Sequence, residues 1–269
     1  MNVTLLFRVD RDNQEEYEAA QEAWSGNLTR YRSEIPEHHL VIGRYSCLPF
    51  YKDLEDEIID VKAGQLANTF SQHKYIADMD WYHDLVGLTP QTWFEVGYAT
   101  VPETEHGYVV KGKTNSRKFK WNTHMFAPTK DILQSVMRRL WDDPLLADQG
   151  LAVREYVPLR EFEVGINGVP ITNEWRCFFW GHQLVSAGFY WSIADVADDM
   201  KVIPPEALEH AQKAADVLTR KGIPFFVVDV AETVSGGWTV IEINDGQMSG
   251  LSMIDPVAFY QSLSRVVKS

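Results

Sequence analysis

The sequence predicts an α+β fold. Its strand-forming runs gather into hairpins late in the chain, and its helical periodicity falls in separate stretches rather than alternating strictly with strands. The 269 residues, 45% hydrophobic and 23% charged, have ordinary globular composition and suffice for a large core and one to two domains.

The first ten residues carry an apolar run without a basic flank, and read as a first strand rather than a signal peptide. Residues 13–24 pattern as a helix, acidic at the start and with Trp24 near the end. Residues 39–60 mix short apolar runs with an acidic segment around Glu55 and Glu57. Residues 71–86 fit a helix capped by Ser71 and ending near Gly87. Thr89-Pro90-Gln91-Thr92-Trp93 opens an extended segment, and residues 108–111 form a short strand leading into the small, basic loop 112–118. Thr129 caps a helix with Ile132, Leu133, Val136, Met137, Leu140 and Trp141 at helical spacing, which Pro144 ends. Residues 152–158 make a strand and connector. Two hairpins follow, 174–190 and 225–244. Between them a helix spans about 204–221, with Pro204-Pro205 at its start, Gly222 after it, and Ala211, Ala214, Ala215 and Leu218 on one face.

The second hairpin concentrates the chemistry. Its runs 225–231 and 238–244 are β-branched and aromatic, and Gly236-Gly237 reads as a tight turn. A two-residue loop places Asp229 opposite Asn244, and a four-residue loop places it opposite Glu242. In either register Asp229, Glu242 and Asn244 share a face, roughly 4.5–8 Å apart. Carboxylates so close repel one another. The patch either binds a cation, for which oxygen-only ligands suit Mg²⁺ shared with phosphates, or is a solvated sheet face.

Cations are candidates to oppose it. Residues 111–120 hold Lys111, Lys113, Arg117, Lys118 and Lys120, in a pattern that is not a P-loop. Arg176 alternates with Glu174 on one strand face, away from Trp175, Cys177 and Phe179. Eight histidines show no zinc spacing, and no nucleophile elbow is present. A net charge of −13 matches a nucleic-acid backbone poorly. No apolar run spans a bilayer. Two cysteines are too few for a disulfide framework, so a reduced, cytoplasmic chain is the default expectation.

The order of features is more telling than any one. A lysine before T-P-x-T, a strand ending in lysine, a small basic loop, a Glu-aromatic-aliphatic connector, an E-x-R strand, an aspartate strand and an E-x-N strand together resemble the ATP-grasp superfamily. The likeness is strongest to the bacterial and phage clade named for two lysines and an arginine, and covers roughly residues 70–255. It implies an ATP-grasp fold, two α+β subdomains gripping ATP, preceded by a short N-terminal α/β domain. The corresponding boundaries are 1–70 for the N-terminal domain, 71–150 for subdomain A and 151–269 for subdomain B.

The resemblance also assigns roles. Lys74 and Lys111 match the phosphate lysines. The loop 112–118, with Lys113 and Ser116, matches the segment closing over the triphosphate, although it is basic rather than glycine-rich. Glu155, Tyr156 and Val157 match the connector that holds adenine, and Glu161 or Glu163 would hold ribose. Arg176 matches the arginine facing the γ-phosphate and acyl phosphate; Asp229, Glu242 and Asn244 match the magnesium ligands. The implied activity is ATP- and Mg²⁺-dependent carboxylate–amine ligation through an acyl phosphate, releasing ADP and phosphate. Its partners would be a carboxylate-bearing small molecule or peptide and an amine acceptor. A kinase-like phosphotransferase and a non-catalytic peptide- or RNA-binding module are the alternatives.

Overall fold

The computed structural model describes residues 2–144, 146, 149–192 and 202–268. Strands β1 (Val3–Phe7), β2 (Leu28–Thr29), β3 (Leu40–Arg44) and β4 (Gln65–Leu66) form a parallel sheet in the order β2-β1-β3-β4. Parallel neighbours need crossovers. Helix α1 (Gln14–Ala23) lies in the connection from β1 to β2, and α2 (Tyr51–Asp60) in that from β3 to β4. Helix α2 falls where the sequence showed only mixed runs. Its buried Tyr51, Leu54 and Ile58 recur at helical spacing and pack with Leu6 and Val41.

Helix α3 (Phe70–Ala77) is shorter than expected and differently capped. The Thr69 hydroxyl accepts from the Gln72 amide while the Gln72 side chain accepts from the Thr69 amide, a reciprocal capping box that displaces Ser71 from the role. The helix stops because Met79 adopts a left-handed φ of 61°, and a 3₁₀ turn over Asp80–Asp84 follows.

Strands β5 (Thr92–Phe94), β6 (Tyr108–Gly112), β7 (Phe126–Ala127) and β8 (Leu151–Glu155) form an antiparallel sheet ordered β5-β8-β6-β7. The strand expected to open the segment from 151 instead completes this sheet, because β8 hydrogen-bonds to both β5 and β6. Helix α4 (Lys130–Trp141), capped by Thr129, buries Leu133, Val136, Met137 and Leu140 against Val110 and Val153. Ile132 and Trp141 face solvent.

A ribbon of β9 (Glu161–Val164) and β10 (Pro170–Thr172) leads into the last sheet. There β11 (Glu174–Trp180), β12 (Gln183–Phe189), β13 (Phe225–Glu232) and β14 (Trp238–Asp245) run antiparallel in the order β12-β11-β13-β14. Strand β13 is buried on both faces. Phe226, Val228 and Val230 pack in the core that includes Ala211, Ala214 and Leu218 of α5 (Pro205–Arg220). Phe225 and Val227 pack in the core of Phe259, Tyr260 and Leu263 of α6 (Pro256–Lys268), which also holds Leu5 and Phe7 of β1. Cys47 and Cys177 are free and buried.

The β13–β14 register resolves the two sequence alternatives. Asp229 pairs with Glu242, but Val230 pairs with Val240, so Ile241 is the extra residue of a bulge. The turn is consequently the five residues 233–237 between Glu232 and Trp238 rather than a Gly-Gly pair, with Gly236 at φ 84°.

Arg44 joins the first and last sheets. Its fully buried guanidinium donates to Tyr260 Oη at 2.9 Å, Glu16 Oε1 at 2.7 Å, the Ser249 carbonyl at 2.9 Å and the Gly246 carbonyl. Removing one partner of such a buried network leaves the others unsatisfied, typically costing about 3–5 kcal/mol. Arg44→Ala should lower the unfolding free energy by an amount of that order in urea titrations. A change within the range of a surface substitution would show that the network does not couple the sheets.

Candidate active site

A row of charged side chains crosses three adjacent strands. Arg176 on β11 pairs with Asp229 on β13, and Asp229 pairs with Glu242 on β14. Alternation places the three on one face, and Asn244, two residues beyond Glu242, joins them. The Asn244 amide nitrogen lies 3.1 Å from Asp229 Oδ2 and 3.4 Å from Glu242 Oε2.

Each carboxylate has its own cation. Arg176 grips Asp229 with two hydrogen bonds, Nε to Oδ1 at 2.9 Å and Nη2 to Oδ2 at 2.8 Å. Its third nitrogen, Nη1, donates to the Gly250 carbonyl at 2.9 Å. Lys111, reaching across from β6, pairs with Glu242 Oε1. Burial alone would raise the Glu242 carboxyl, but the charges of Lys111 and Lys118 bring it down to about 2.

Two clefts meet at Glu242. The first, with a cavity volume of about 140 Å³, lies between the second sheet and the last. Lys111, Ser116, Lys118, Glu155, Tyr156 and Val157 all line it, so residues singled out from three separate stretches of sequence converge on one cavity. Val109, Trp121, Met125, Val169 and Ile241 add apolar wall, and Arg154, Glu174 and Glu242 add charged groups. An apolar slot that runs into lysines and then carboxylates has the polarity a nucleotide requires, base at one end and phosphates at the other. The bulge at Ile241 also serves this cleft: the Ile241 carbonyl accepts from Arg154 Nη1, which ties β14 to β8 beneath the floor.

Lys118 is held inward. It donates to Tyr190 Oη and lies 4.5 Å from that ring's centroid, while Arg176 lies 4.8 Å from the same centroid. Burial would lower the Lys118 ammonium, yet the negative potential of Tyr190, Glu174 and Glu242 holds it above its ordinary value. Glu174, buried at the edge of the same cleft, is also raised, but by a different cause: loss of hydration pushes its carboxyl up to about 8. Arg154, wholly buried, is brought down to about 10 by the same cause.

The second cleft is lined by Arg176, Glu242, Asn244, Gly250, Lys113 and His73 among others. Lys113 also pairs with Glu95 at 3.3 Å. Lys74 reaches neither cleft. It lies on α3, half exposed, and pairs with Asp78 at 2.6 Å; the neighbouring His73 takes the inward position instead. The ribose candidates Glu161 and Glu163 are both exposed on β9 and line neither cleft.

Arg154, Glu174 and His73 were given no role from sequence. Arg154 reads there as one more strand residue, and only its hydrogen bonds to Thr89, Thr92 and Ile241 reveal its place. His73 gains meaning only from Asp245, 172 positions away.

Among the described residues no group of three or more His, Cys, Asp and Glu side chains forms a metal cluster. Asp229, Glu242 and Asn244 supply two carboxylates and one amide, all potential oxygen donors on one face. That set fits a hard divalent cation which keeps other ligands from water or phosphate. For Asn244 to ligate, its amide must present oxygen where nitrogen is now assigned.

This architecture, two sheets closing on a cleft between them, is that of an ATP-grasp domain. The model of one ATP-grasp domain family, the third family of the clade named for two lysines and an arginine, matches residues 101–263, and the chain belongs to that family. No curated protein sequence matches the chain. Among solved structures, D-cycloserine synthetase DcsG has a TM-score of 0.62 at 15% identity, covering 99% of this chain and 100% of that one. The ATP-grasp ligase PsnB, complexed with minimal precursor, Mg and ADP, gives 0.56 at 10%, with 99% and 97% covered. D-alanine–D-alanine ligase from Bacillus anthracis, complexed with ATP, gives 0.58 at 13%, with 100% and 96% covered. At these identities the likeness is one of fold.

The raised Glu174 carboxyl sets a pH signature. Between its ordinary value of 4.5 and about 8, the folded chain holds a proton that the unfolded chain has released. Its contribution to stability is therefore full below 4.5 and falls as pH rises toward 8. Glu174→Gln should flatten this part of the profile, read as denaturation midpoints across the window. An unchanged slope would show that Glu174 ionises freely.

Proposed function

We propose that the protein is an ATP- and Mg²⁺-dependent carboxylate–amine ligase that works through an acyl phosphate. The observation that carries this reading is the meeting of the two clefts at Glu242: a nucleotide-shaped cavity on one side, a polar cavity on the other, and the Arg176–Asp229–Glu242 row between them. The neighbours with ATP, or with Mg, ADP and a precursor, support the same assignment.

The chain's own groups have clear tasks in this scheme. The apolar slot beside Glu155, Tyr156 and Val157 takes the base. Lys111 and Lys118, now paired with Glu242 and Tyr190, turn to the phosphates and offset their charge. Asp229, Glu242 and Asn244 would hold Mg²⁺, which supplies charge neutralisation and alignment of phosphate oxygens. Arg176, in the second cleft beside Glu242, faces the transferring phosphoryl group and keeps the acceptor carboxylate in line with it. The carboxylate oxygen attacks the γ-phosphorus and ADP leaves; the amine then attacks the acyl carbon and phosphate leaves. The loop 112–118 over the cleft excludes the water that would otherwise hydrolyse the acyl phosphate.

Incubation with ATP, Mg²⁺ and pooled amino acids and peptides, followed by nucleotide chromatography and mass spectrometry, tests the reading. The expected products are ADP, phosphate and a new amide mass, lost in Arg176→Ala. Substrate-stimulated AMP would overturn the acyl phosphate, and ADP with a phosphorylated hydroxyl would make the protein a kinase.

Lys111→Ala should weaken ATP binding roughly tenfold to a hundredfold, the range for a charge-assisted hydrogen bond, and leave adenosine binding nearly unchanged. Equal losses for both ligands in calorimetry would make Lys111 a structural partner of Glu242 only.

A further inference from the structure

His73 belongs to a buried polar assembly that the nucleotide chemistry does not use. At its centre is Asp245, the residue after Asn244, only 4% exposed. Tyr51 Oη lies 2.9 Å from Asp245 Oδ2 and 3.0 Å from the Asn68 carbonyl, Asn68 Nδ2 donates to Oδ1 at 2.7 Å and the Gln247 amide to Oδ1 at 2.9 Å. His73 Nδ1 lies 3.0 Å from Oδ2. The Asn68 and Gln247 nitrogens can only donate, and the ionised carboxylate they hold only accepts, so His73 approaches it through an Nδ1–H. That fixes the tautomer of the neutral ring and leaves Nε2 as a bare acceptor.

The ring itself is immobilised. One face stacks on Tyr51 with centroids 4.2 Å apart and planes inclined by 22°. With Nδ1 tied and a face covered, the Nε2 edge is the polar part left to the second cleft, which His73 lines beside Arg176, Glu242, Asn244 and Gly250. Nε2 has no hydrogen-bond partner among the described residues. A fixed, unpaired acceptor beside the boundary of the two clefts is complementary to a neutral N–H donor.

We infer that the second cleft is the acceptor-amine site and that His73 Nε2 receives an N–H hydrogen bond from the incoming amine, with the Asp245 assembly holding the ring in the tautomer this requires. The inference rests on the ligase reading, because it is there that an amine must be placed next to Arg176. Its chemistry is specific. An N–H bound to Nε2 orients the nitrogen, so that its lone pair can be directed toward the acyl carbon while the hydrogen points to the ring. A carboxylate has no hydrogen to offer this edge and is directed instead toward Arg176 and Lys113.

The test uses the full chain labelled with ¹⁵N-histidine and hydroxylamine as the probe, a small nucleophilic amine largely unprotonated at neutral pH. Long-range ¹H–¹⁵N spectra, assigned by loss of the signal in His73→Gln, should show Nδ1 protonated and Nε2 bare. The Nε2 resonance should move on titration with hydroxylamine. In hydroxylamine-dependent ADP release with the carboxylate pool, His73→Ala should raise KM for hydroxylamine about tenfold, the loss of one hydrogen bond, and leave KM for ATP unchanged. His73→Gln retains a side-chain acceptor and should recover part of that loss. An Nε2–H tautomer, an Nε2 signal indifferent to hydroxylamine, or an equal rise in both KM values would overturn the inference. The spectra need no turnover, so the two readings fail separately. A hydroxylamine-induced shift without ADP release removes the ligase and keeps the amine site; hydroxylamine-dependent ADP release with a silent His73 does the reverse.

Discussion

Two carboxylates at directly paired positions of a sheet, Asp229 and Glu242, impose the constraint from which the site follows. Like charges opposite one another on neighbouring strands are destabilising, and burial in a low-dielectric interior sharpens the repulsion. Asp229 is fully buried. The protein meets the constraint with one cation on each side: Arg176 from the next strand of the same sheet, and Lys111 from the opposed sheet. Across three strands and a cleft the order is arginine, aspartate, glutamate, lysine. The Lys111–Glu242 contact is also a point where the two halves of the grasp touch, so electrostatic compensation and closure of the cleft are one interaction.

The surrounding fold keeps that row in register. Strand β13 is apolar on both faces, held between α5 and α6, and a slip of one residue would drive Asp229 into the core of Phe226, Val228 and Val230. The bulge at Ile241 corrects the register between the site and the turn and leaves the site pairing itself regular. Arg44 and Asp245 then anchor the end of β14 and the segment after it to the N-terminal sheet. Strands position Arg176, Asp229, Glu242, Asn244 and Lys111, while Lys113, Ser116 and Lys118 come from the loop after β6 and His73 from α3.

What was legible in the sequence divides along local and long-range lines. The shared face of Asp229, Glu242 and Asn244 needed only the two-residue period of a strand, and it held whichever register the turn imposed. The α4 cap at Thr129 and the alanine face of α5 were equally local. The end of α3 was not, because nothing in residues 71–86 marks Met79 for a left-handed φ; the apolar spacing continues past it. Lys74 illustrates the same limit at the site. Its neighbour His73 has the partner, Asp245, that fixes which of the two faces inward, and that partner is distant in sequence. The hairpin turn was misjudged because Gly236-Gly237 is a strong local signal, while the bulge at Ile241, whose carbonyl accepts from Arg154 of another sheet, has no local one.

Net charge raises a final point about how an acidic chain can handle an anionic nucleotide. At −13 the protein repels ATP at long range, and the five basic residues of 111–120 are its evident remedy. They do not act alike. Arg117 is committed to Asp143, which it grips through two nitrogens, so it fixes the loop rather than the ligand. Lys111, Lys113 and Lys118 alone of the five line the clefts. Lys111 and Lys113 are paired with carboxylates, Glu242 and Glu95, whereas Lys118 donates to the neutral hydroxyl of Tyr190 and keeps its charge. At the Lys111–Glu242 pair the resting charges cancel, and that pair offers little net field to a bare phosphate. In the proposed reaction it would suit a ligand that brings cation and anion together, with a cation at Glu242 and phosphate at Lys111. On the ligase reading proposed above, that pair would favour the magnesium complex of the nucleotide over the free nucleotide, through the same carboxylates whose mutual repulsion the fold contains.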